Sequence, residues 1–311
     1  MGLPVYFDQD GGLDDFLSLL LLLSYEHVDL LGISITPADT LIEAAVPATR
    51  KILDLAGRSD VMVAAGTLDG IHPFPMAWRT DACKVNDLPV LNQRDECAAP
   101  VSELPAHEFM ARTLLDASEP VTLLETGPMT NLAWVLDHHP EAEAKIREIR
   151  FMGGALECPG NVQVAGHDGS AEWNVYWDAV SAKRVWDSSV SIVLFPLDAT
   201  DQVPVTSAFR QAFGRQHAYP FSQAAGAIWA MTSGWEISPG MGLPYFCWDT
   251  LTTSSLARPD ICTFREVPCD IVTAGPSEGR TMPTESGRVV HAADRVDAQH
   301  FYAHALQTLR R

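Results

Sequence analysis

Basic residues are scarce in this sequence. Lys and Arg number 21 against 40 Asp and Glu, which gives a formal net charge of -19 at pH 7. Because nucleic-acid phosphates and anionic membrane surfaces are bound mainly by Lys and Arg, this balance argues against both as partners. A small neutral or cationic ligand suits the charge better.

Paired cysteines and long apolar runs are also missing. The six cysteines are scattered without a Cys-x-x-Cys pair, which in a chain of 311 residues predicts reduced, mostly buried thiols and a cytoplasmic location. The apolar run from Phe16 to Leu23 is far shorter than the roughly 20 residues of a membrane span, so we expect a core helix. No basic leader precedes the first apolar run, and we therefore expect no targeting segment.

Short apolar runs of strand length alternate with longer periodic runs. We predict buried strands at 3–7, 29–36, 61–65, 120–125, 148–152 and 191–196. We predict helices from 14 onward and at 40–56, 106–117, 130–137, 141–146, 178–188 and 298–310, a long loop at 66–103, a mainly helical region at 206–239, and a small sheet extension at 268–273 and 288–289. This alternation indicates an α/β fold with a single domain over 1–311: an open, mostly parallel, Rossmann-like sheet flanked by helices, with the active site at the carboxyl ends of the strands.

Four aspartates follow the first predicted strand within eight residues: Asp8, Asp10, Asp14 and Asp15. A helix needs only one of them as a cap, and like charges this close raise one another's pKa unless a cation neutralises them. Ligands that are all oxygen favour Ca²⁺ or Mg²⁺ over Zn²⁺. The alternative is ordinary helix capping with solvated charge.

Further polar and aromatic residues follow other predicted strands. Asp39 is either a helix cap or a ligand contact, and Trp78 in the long loop is a lid, a stacking platform or part of the core. The turn at Gly127-Pro128 exposes the carbonyl of Thr126, which is suited to a hard cation.

The stretch from 160 to 178 is dense in hydrogen-bonding side chains. Asn161, Glu172 and Asn174 have the chemistry to hold the vicinal hydroxyls of a sugar, although an ordinary polar loop has the same composition. Asp249 follows Trp248 at a predicted helix start, from where the fold can return it to the first acidic loop.

Together these segments resemble the nucleoside hydrolase family over nearly the whole chain. The resemblance is carried by DQDGGLDD at 8–15, TGPMTN at 126–131, Gly160-Asn161, AEWNVYWD at 171–178 and Trp248-Asp249. The segments 36–39 and 73–79 and Trp248 are most similar to the purine-specific branch, which acts on inosine, adenosine and guanosine. Nonspecific members have a general-acid His in place of Trp248, and members of the purine branch have an acidic residue in place of Ala77 and an Asn in place of Gly12.

The resemblance implies a purine nucleosidase with one bound Ca²⁺ and a role in purine salvage. It implies metal ligation by Asp10, Asp15, Asp249 and the Thr126 carbonyl, and ribose binding by Asp14, Asn161, Glu172 and Asn174. Asp8 would not bind the metal itself; it would orient the acidic loop that carries the ligands. Relatives form dimers and tetramers, so a homodimer or homotetramer is expected.

Cleavage of an N-glycosidic bond requires an activated water and a stabilised leaving base. We expect Asp10 to act as general base. We also expect Trp78 and Trp248 to sandwich the purine and favour its protonated form, assisted by Asp39. Two alternatives are a Mg²⁺-dependent phosphohydrolase that uses Asp8 and Asp10, and a nucleoside-binding protein without catalysis.

Overall fold

A single sheet organises the protein. The computed structural model describes residues 2–94, 97–235 and 244–311, and within them nine strands form one sheet in the order β3-β2-β1-β4-β5-β6-β9-β7-β8. The strands from β3 to β9 in this order are parallel, and β7 pairs antiparallel with β9 and β8. The predicted α/β fold with an open, mostly parallel sheet is confirmed. The strands are β1 (Leu3–Gln9), β2 (Val28–Ile35), β3 (Val63–Ala65), β4 (Val121–Glu125), β5 (Ile146–Met152), β6 (Ile192–Phe195), β7 (Cys262–Ile271), β8 (Thr281–Pro283) and β9 (Arg288–Val296).

Helices cover both faces of this sheet. They are α1 (Leu13–Leu22), α2 (Ile42–Leu55), α3 (Met76–Arg79), α4 (Asp81–Asn86), α5 (Ala106–Asp116), α6 (Thr130–His138), α7 (Trp173–Trp177), α8 (Ala179–Trp186), α9 (Leu197–Thr200), α10 (Ser207–Gly214), α11 (Pro220–Ala230), α12 (Trp248–Ser254) and α13 (Ala298–Thr308). None of the helices in the described ranges is long and apolar enough to cross a membrane.

Three segments differ from the sequence-based expectation. The predicted loop at 66–103 contains α3, α4 and a 3₁₀ helix at Pro89–Leu91, because short helices that bury at most two side chains leave no periodic pattern. The helix expected at 141–146 is a 3₁₀ helix at Pro140–Lys145. Helix α7 was not predicted, because all five of its residues are buried and it has no polar face.

The remaining differences concern helix and strand bounds. Helix α2 begins at Ile42, two residues after the predicted start, and contains Pro47. In the region at 206–239, α10 and α11 are helical as predicted, and 236–239 lies outside the described residues. The sheet extension is larger than expected, because β7 and β9 pair over most of their length.

The apolar core lies on both sides of the sheet, and α1 is its most deeply buried helix. In β1, Val5 and Phe7 pack on one side and Tyr6 on the other, as alternation along a strand requires. All ten residues of α1 are buried, and its leucines pack in the same cluster as residues of α2, α11 and α12. The apolar run at 16–23 is therefore a core helix, as predicted.

Strand register brings the acidic loop to the carboxyl edge of the sheet. In the parallel pairing, Asp8 lies opposite Glu125. Thr126 N donates to the carbonyl of Asp8 at 2.9 Å, and Thr36 N donates to the carbonyl of Gln9 at 2.7 Å. The residues that follow β1, β2 and β4 therefore meet at one place.

Candidate active site

A cleft of about 380 Å³ opens where the parallel strands end. Every site residue predicted from the sequence lines it except Asp15, which is fully buried. No Lys, Arg or His lines the cleft within the described residues. We call Asp10, Asp14, Asp15 and Asp249 the acidic floor, and Phe74, Trp78, Trp173, Trp235, Tyr245, Phe246 and Trp248 the aromatic wall.

Asp14 links the start of α1 to the start of α12. Tyr245 Oη donates to Asp14 Oδ1 at 2.6 Å, and Asp249 N donates to Asp14 Oδ2 at 3.0 Å. Burial raises the pKa of Asp14, and these two hydrogen bonds act in the opposite direction. Both of its oxygens therefore already have partners.

Asp15 and Asp10 occupy the centre of the acidic floor. Gly12 N donates to Asp15 Oδ2 at 2.8 Å, and Thr126 Oγ1 donates to Asp15 Oδ1. Burial raises the pKa of Asp15 to about 7. Burial, followed by the charge of Asp15, raises the pKa of Asp10 well above its usual value, and the pKa of Asp249 is raised in the same way by burial and the charge of Asp14.

The donor atoms of the acidic floor fit a hard dication. They are oxygens, and Asp10 Oδ2 is buried with no hydrogen-bond partner in the described part of the chain. Across 2–94, 97–235 and 244–311, no three His, Cys, Asp or Glu side chains are gathered in a metal-binding cluster. Since Gly12 N and Thr126 Oγ1 already donate to the oxygens of Asp15, a cation bound by Asp15 would have to displace one of these hydrogen bonds.

Asp8 is turned away from the cleft. Asn131 Nδ2 donates to both carboxylate oxygens of Asp8 at 3.1 Å and to Thr36 Oγ1 at 2.9 Å. Burial raises the pKa of Asp8 to about 7, and it raises that of the neighbouring Glu125 well above its usual value. Asp8 does not line the cleft, so the phosphohydrolase alternative with an Asp8 nucleophile has no support in this geometry.

Glu172 is fixed as the cap of α7. Its Oε1 accepts from Asn174 N at 2.9 Å, and its Oε2 accepts from Gly154 N at 3.0 Å and Val175 N at 3.3 Å. Burial nevertheless raises the pKa of Glu172 to about 7. The carboxyl group is thus rigidly placed and is easily protonated near neutral pH.

The two predicted asparagines hold loops at the cleft. Asn174 Nδ2 donates to the carbonyls of Thr126 at 2.9 Å and Met152 at 3.0 Å. Asn161 Oδ1 accepts from Trp173 N at 3.1 Å. The Thr126 carbonyl, predicted as a metal ligand, therefore already accepts one hydrogen bond.

Trp78 belongs to the aromatic wall as well as to a small apolar cluster. Its ring centroid lies 5.6 Å from that of Trp173 in an edge-on arrangement and 6.0 Å from that of Trp235. Trp78 is half-buried on α3 and lines the cleft, so its role is not confined to packing in the core. Trp235 lines the cleft beside it.

Trp248 forms the other side of the aromatic wall. Its ring centroid lies 4.6 Å from that of Tyr245 and 5.7 Å from that of Phe246. Trp248 Nε1 donates to Asp201 Oδ1 at 2.9 Å. Both tryptophans expected to hold a base thus face the same cleft.

Asp39 does not cap the following helix, because the cap position of α2 is Leu41. Its Oδ1 is buried without a hydrogen-bond partner among the residues described. Burial raises the pKa of Asp39 well above its usual value, the charge of Asp15 raises it further, and Arg79 acts in the opposite direction. A Cβ added at Gly12 would lie 3.1 Å from Asp39 Oδ2, so this glycine leaves room for the carboxyl group.

Sequence reasoning missed two cleft residues that hold predicted ones. Tyr245 binds Asp14, and Asp201 binds Trp248. An acid shortly after a buried strand was the signal that identified Asp39, and the same signal was available for Asp201 after β6. Tyr245 gave no comparable signal, because an isolated aromatic residue is usually part of the core.

Comparison with known proteins places these residues in context. The sequence model described as inosine-uridine preferring nucleoside hydrolase matches residues 5–303. The pyrimidine-specific ribonucleoside hydrolase RihA of Citrobacter koseri is 34% identical over 206 residues, which are 66% of this chain and 63% of the relative. The match thus spans less than two thirds of this curated relative.

Solved structures match over the full length. An inosine-uridine preferring nucleoside hydrolase from Bacillus anthracis superposes with a TM-score of 0.93 at 38% identity, with 99% of each chain covered. A purine-preferring ribonucleoside hydrolase from Gardnerella vaginalis superposes with a TM-score of 0.84 at 22% identity, covering 99% of this chain and 98% of that one, and shares the fold.

Proposed function

The chain belongs to the inosine-uridine preferring nucleoside hydrolase family, and from this premise we propose that it hydrolyses the N-glycosidic bond of ribonucleosides to free base and ribose. The observation that carries the proposal is the cleft itself. It combines buried carboxylates that fit a dication and a sugar with an aromatic wall that fits a base. Such a combination suits a ligand with one polar and one flat, apolar half.

We further propose that purine ribonucleosides are preferred. The RihA relatives are described as pyrimidine-specific, and we infer a different preference for this chain from the size of its aromatic wall. Trp78, Trp173, Trp235 and Trp248 line one cleft, which suits stacking against a two-ring base. Trp248 also stands where nonspecific members of the family have a His, so departure of the base must be assisted in another way.

Asp10, Asp15, Asp249 and the Thr126 carbonyl would hold one Ca²⁺. When bound, the ion supplies an acidified water close to the sugar. Asp10 is our candidate for the base that takes the proton from that water, because its Oδ2 has no hydrogen-bond partner among the described residues.

Asp14, Asn161, Glu172 and Asn174 would bind the ribose. Glu172 caps α7 and Asn174 lies in its first turn, and each is already held by backbone groups. Fixed polar groups lose little side-chain entropy when they bind a hydroxyl, so this arrangement favours a precise position of the sugar.

The base would leave between Trp78 and Trp248. Indole faces attract a cation, so they favour the protonated base over the neutral one and make it a better leaving group. Asp39 lines the same cleft, and two observations support its role as a hydrogen-bond partner of the base: its pKa is raised, and its Oδ1 has no partner among the described residues.

The test is a comparison of inosine, adenosine, guanosine, uridine and cytidine as substrates, with free base and reducing sugar both measured. We expect release of both products, with a larger kcat/KM for the purine nucleosides. Equal values for uridine and inosine would contradict the purine preference alone. Binding of inosine without release of base would contradict hydrolysis and would favour a nucleoside-binding protein.

A further inference from the structure

Asp201 is a carboxylate of the cleft that neither the metal site nor the sugar site uses. It follows α9, at the carboxyl end of β6, and lines the cleft. Its Oδ1 accepts the indole N–H of Trp248 at 2.9 Å. An indole has one N–H donor, so this contact takes up the whole hydrogen-bonding capacity of the Trp248 side chain.

The neighbouring acid Asp198 shows what a purely structural carboxylate does at this place. Its two oxygens accept from the backbone N–H groups of Leu156 and Glu157, each at 2.8 Å, and thereby hold the loop after β5. In the part of the chain that the structure describes, the Asp201 carboxylate has no hydrogen bond other than the one from Trp248. The Asp201 carboxylate therefore binds a side chain of the aromatic wall, whereas the Asp198 carboxylate holds a backbone loop.

Two kinds of contact hold the Trp248 ring: the hydrogen bond from its N–H to Asp201, and apolar packing around the rest of the ring. The ring packs near Tyr245 and Phe246 and against the apolar cluster that contains Met152 and Leu197. These apolar contacts restrain the ring but have little directional preference. The hydrogen bond to Asp201 adds a directional restraint at the indole N–H.

The charge of Asp201 adds an electrostatic effect. The residue is exposed at the cleft, although its carboxyl group lies in a concave part of the surface. Partial desolvation there raises the pKa of Asp201 to about 6, against the hydrogen bond from Trp248, so the anion predominates at neutral pH. An anion that accepts the indole N–H increases the negative potential of the ring face and strengthens its attraction for a cation.

We propose that Asp201 is a positioning residue for the leaving base: it fixes the Trp248 ring at the cleft and, through the indole N–H, makes that ring a stronger partner for the protonated base. The inference rests on the proposed function and concerns the departure of the base, not the attack of water. It predicts that Asp201 is needed only when the leaving group must be protonated.

The test compares Asp201→Asn with wild type on inosine and on p-nitrophenyl riboside. Asn keeps a carbonyl acceptor for the indole but removes the charge, and p-nitrophenolate departs as an anion without protonation. We expect kcat for inosine to fall about tenfold, with KM little changed, and kcat for p-nitrophenyl riboside to stay the same. Asp187→Asn, an exposed acid that pairs with Lys183 on α8, is the matched control and should match wild type on both substrates.

A second variant shows whether the effect passes through the indole. In a Trp248→Phe background, which has no N–H to donate, Asp201→Asn should cause no further loss with inosine. An equal loss on both substrates, or a loss that persists in the Phe background, would overturn the inference while the proposed function stands. Wild-type protein that released no base from any ribonucleoside would overturn both, so the two failures are distinguishable.

Discussion

Replacing Glu172 with Gln measures how much the ionisation of one buried carboxylate lowers the free energy of unfolding. Glu172 is 3% exposed, and its pKa in the folded protein is raised from 4.5 to about 7. The folded state therefore holds the proton more tightly than the unfolded state, and its stability falls as the pH rises from about 4.5 to about 7. At about 1.4 kcal/mol per pKa unit, the wild type loses about 3 kcal/mol over this interval because of Glu172 alone. A Gln side chain cannot ionise and loses nothing in this way.

The assay is urea unfolding followed by tryptophan fluorescence at several pH values, with a chelator present throughout. The amide nitrogen also replaces one carboxylate oxygen that accepts from backbone N–H groups, such as those of Gly154 and Val175, which adds an offset that does not depend on pH. The informative quantity is therefore the change with pH in the stability of Glu172→Gln minus that of wild type. It should increase by about 3 kcal/mol between about pH 4.5 and pH 8.

The exposed Glu285 in the turn before β9 offers a matched control. Because its side chain is exposed, Glu285→Gln should change the free energy of unfolding by no more than about 0.5 kcal/mol. A pH-independent difference for Glu172→Gln, or one that decreases as the pH rises, would refute the reasoning from burial.

Four further outcomes are expected. Exhaustive chelation should abolish base release from inosine and added Ca²⁺ should restore it; full activity after chelation would contradict the metal proposal. Trp248→Ala should lower kcat for inosine by at least about tenfold, and unchanged turnover would exclude the indole from departure of the base. Asn131→Leu should lower the free energy of unfolding by about 2 kcal/mol or more, measured in urea, because both oxygens of buried Asp8 lose their donor. Gly127→Ala should reduce activity more than stability, since its Cβ would lie 2.7 Å from that of Asp10; equal kinetics would show that the loop adapts.

The sequence predicted well which residues line the cleft, because the residue types at the carboxyl ends of the strands identify them. An apolar run that ends in Asp or Thr marks the carboxyl edge of a parallel sheet, and Asp10, Asp39 and Thr126 were all identified in this way. Most helices were also predicted: buried residues recur on one face of helices such as α2 and α5, and α1 was identified by its apolar run.

What the sequence could not predict was which side of an element each polar residue faces. Asp8 and Asp10 are two residues apart, yet Asp8 continues β1 and pairs with β4, whereas Asp10 lies beyond the strand and lines the cleft. The partners of Asp14 and Trp248 were equally hidden. Tyr245 is 231 residues from Asp14, and Asp201 is 47 residues from Trp248, so only the folded sheet brings each pair together.

The acidic floor and the aromatic wall differ in how many amino-acid substitutions they can tolerate. The acidic floor begins at α1, which is buried at every residue, so a change there disturbs the interior of the whole protein. Trp78 is carried by α3, a helix of four residues none of which is fully buried. Mutant libraries confined to α3 should therefore yield folded enzymes with new base preferences, while libraries at α1 should yield mostly insoluble protein.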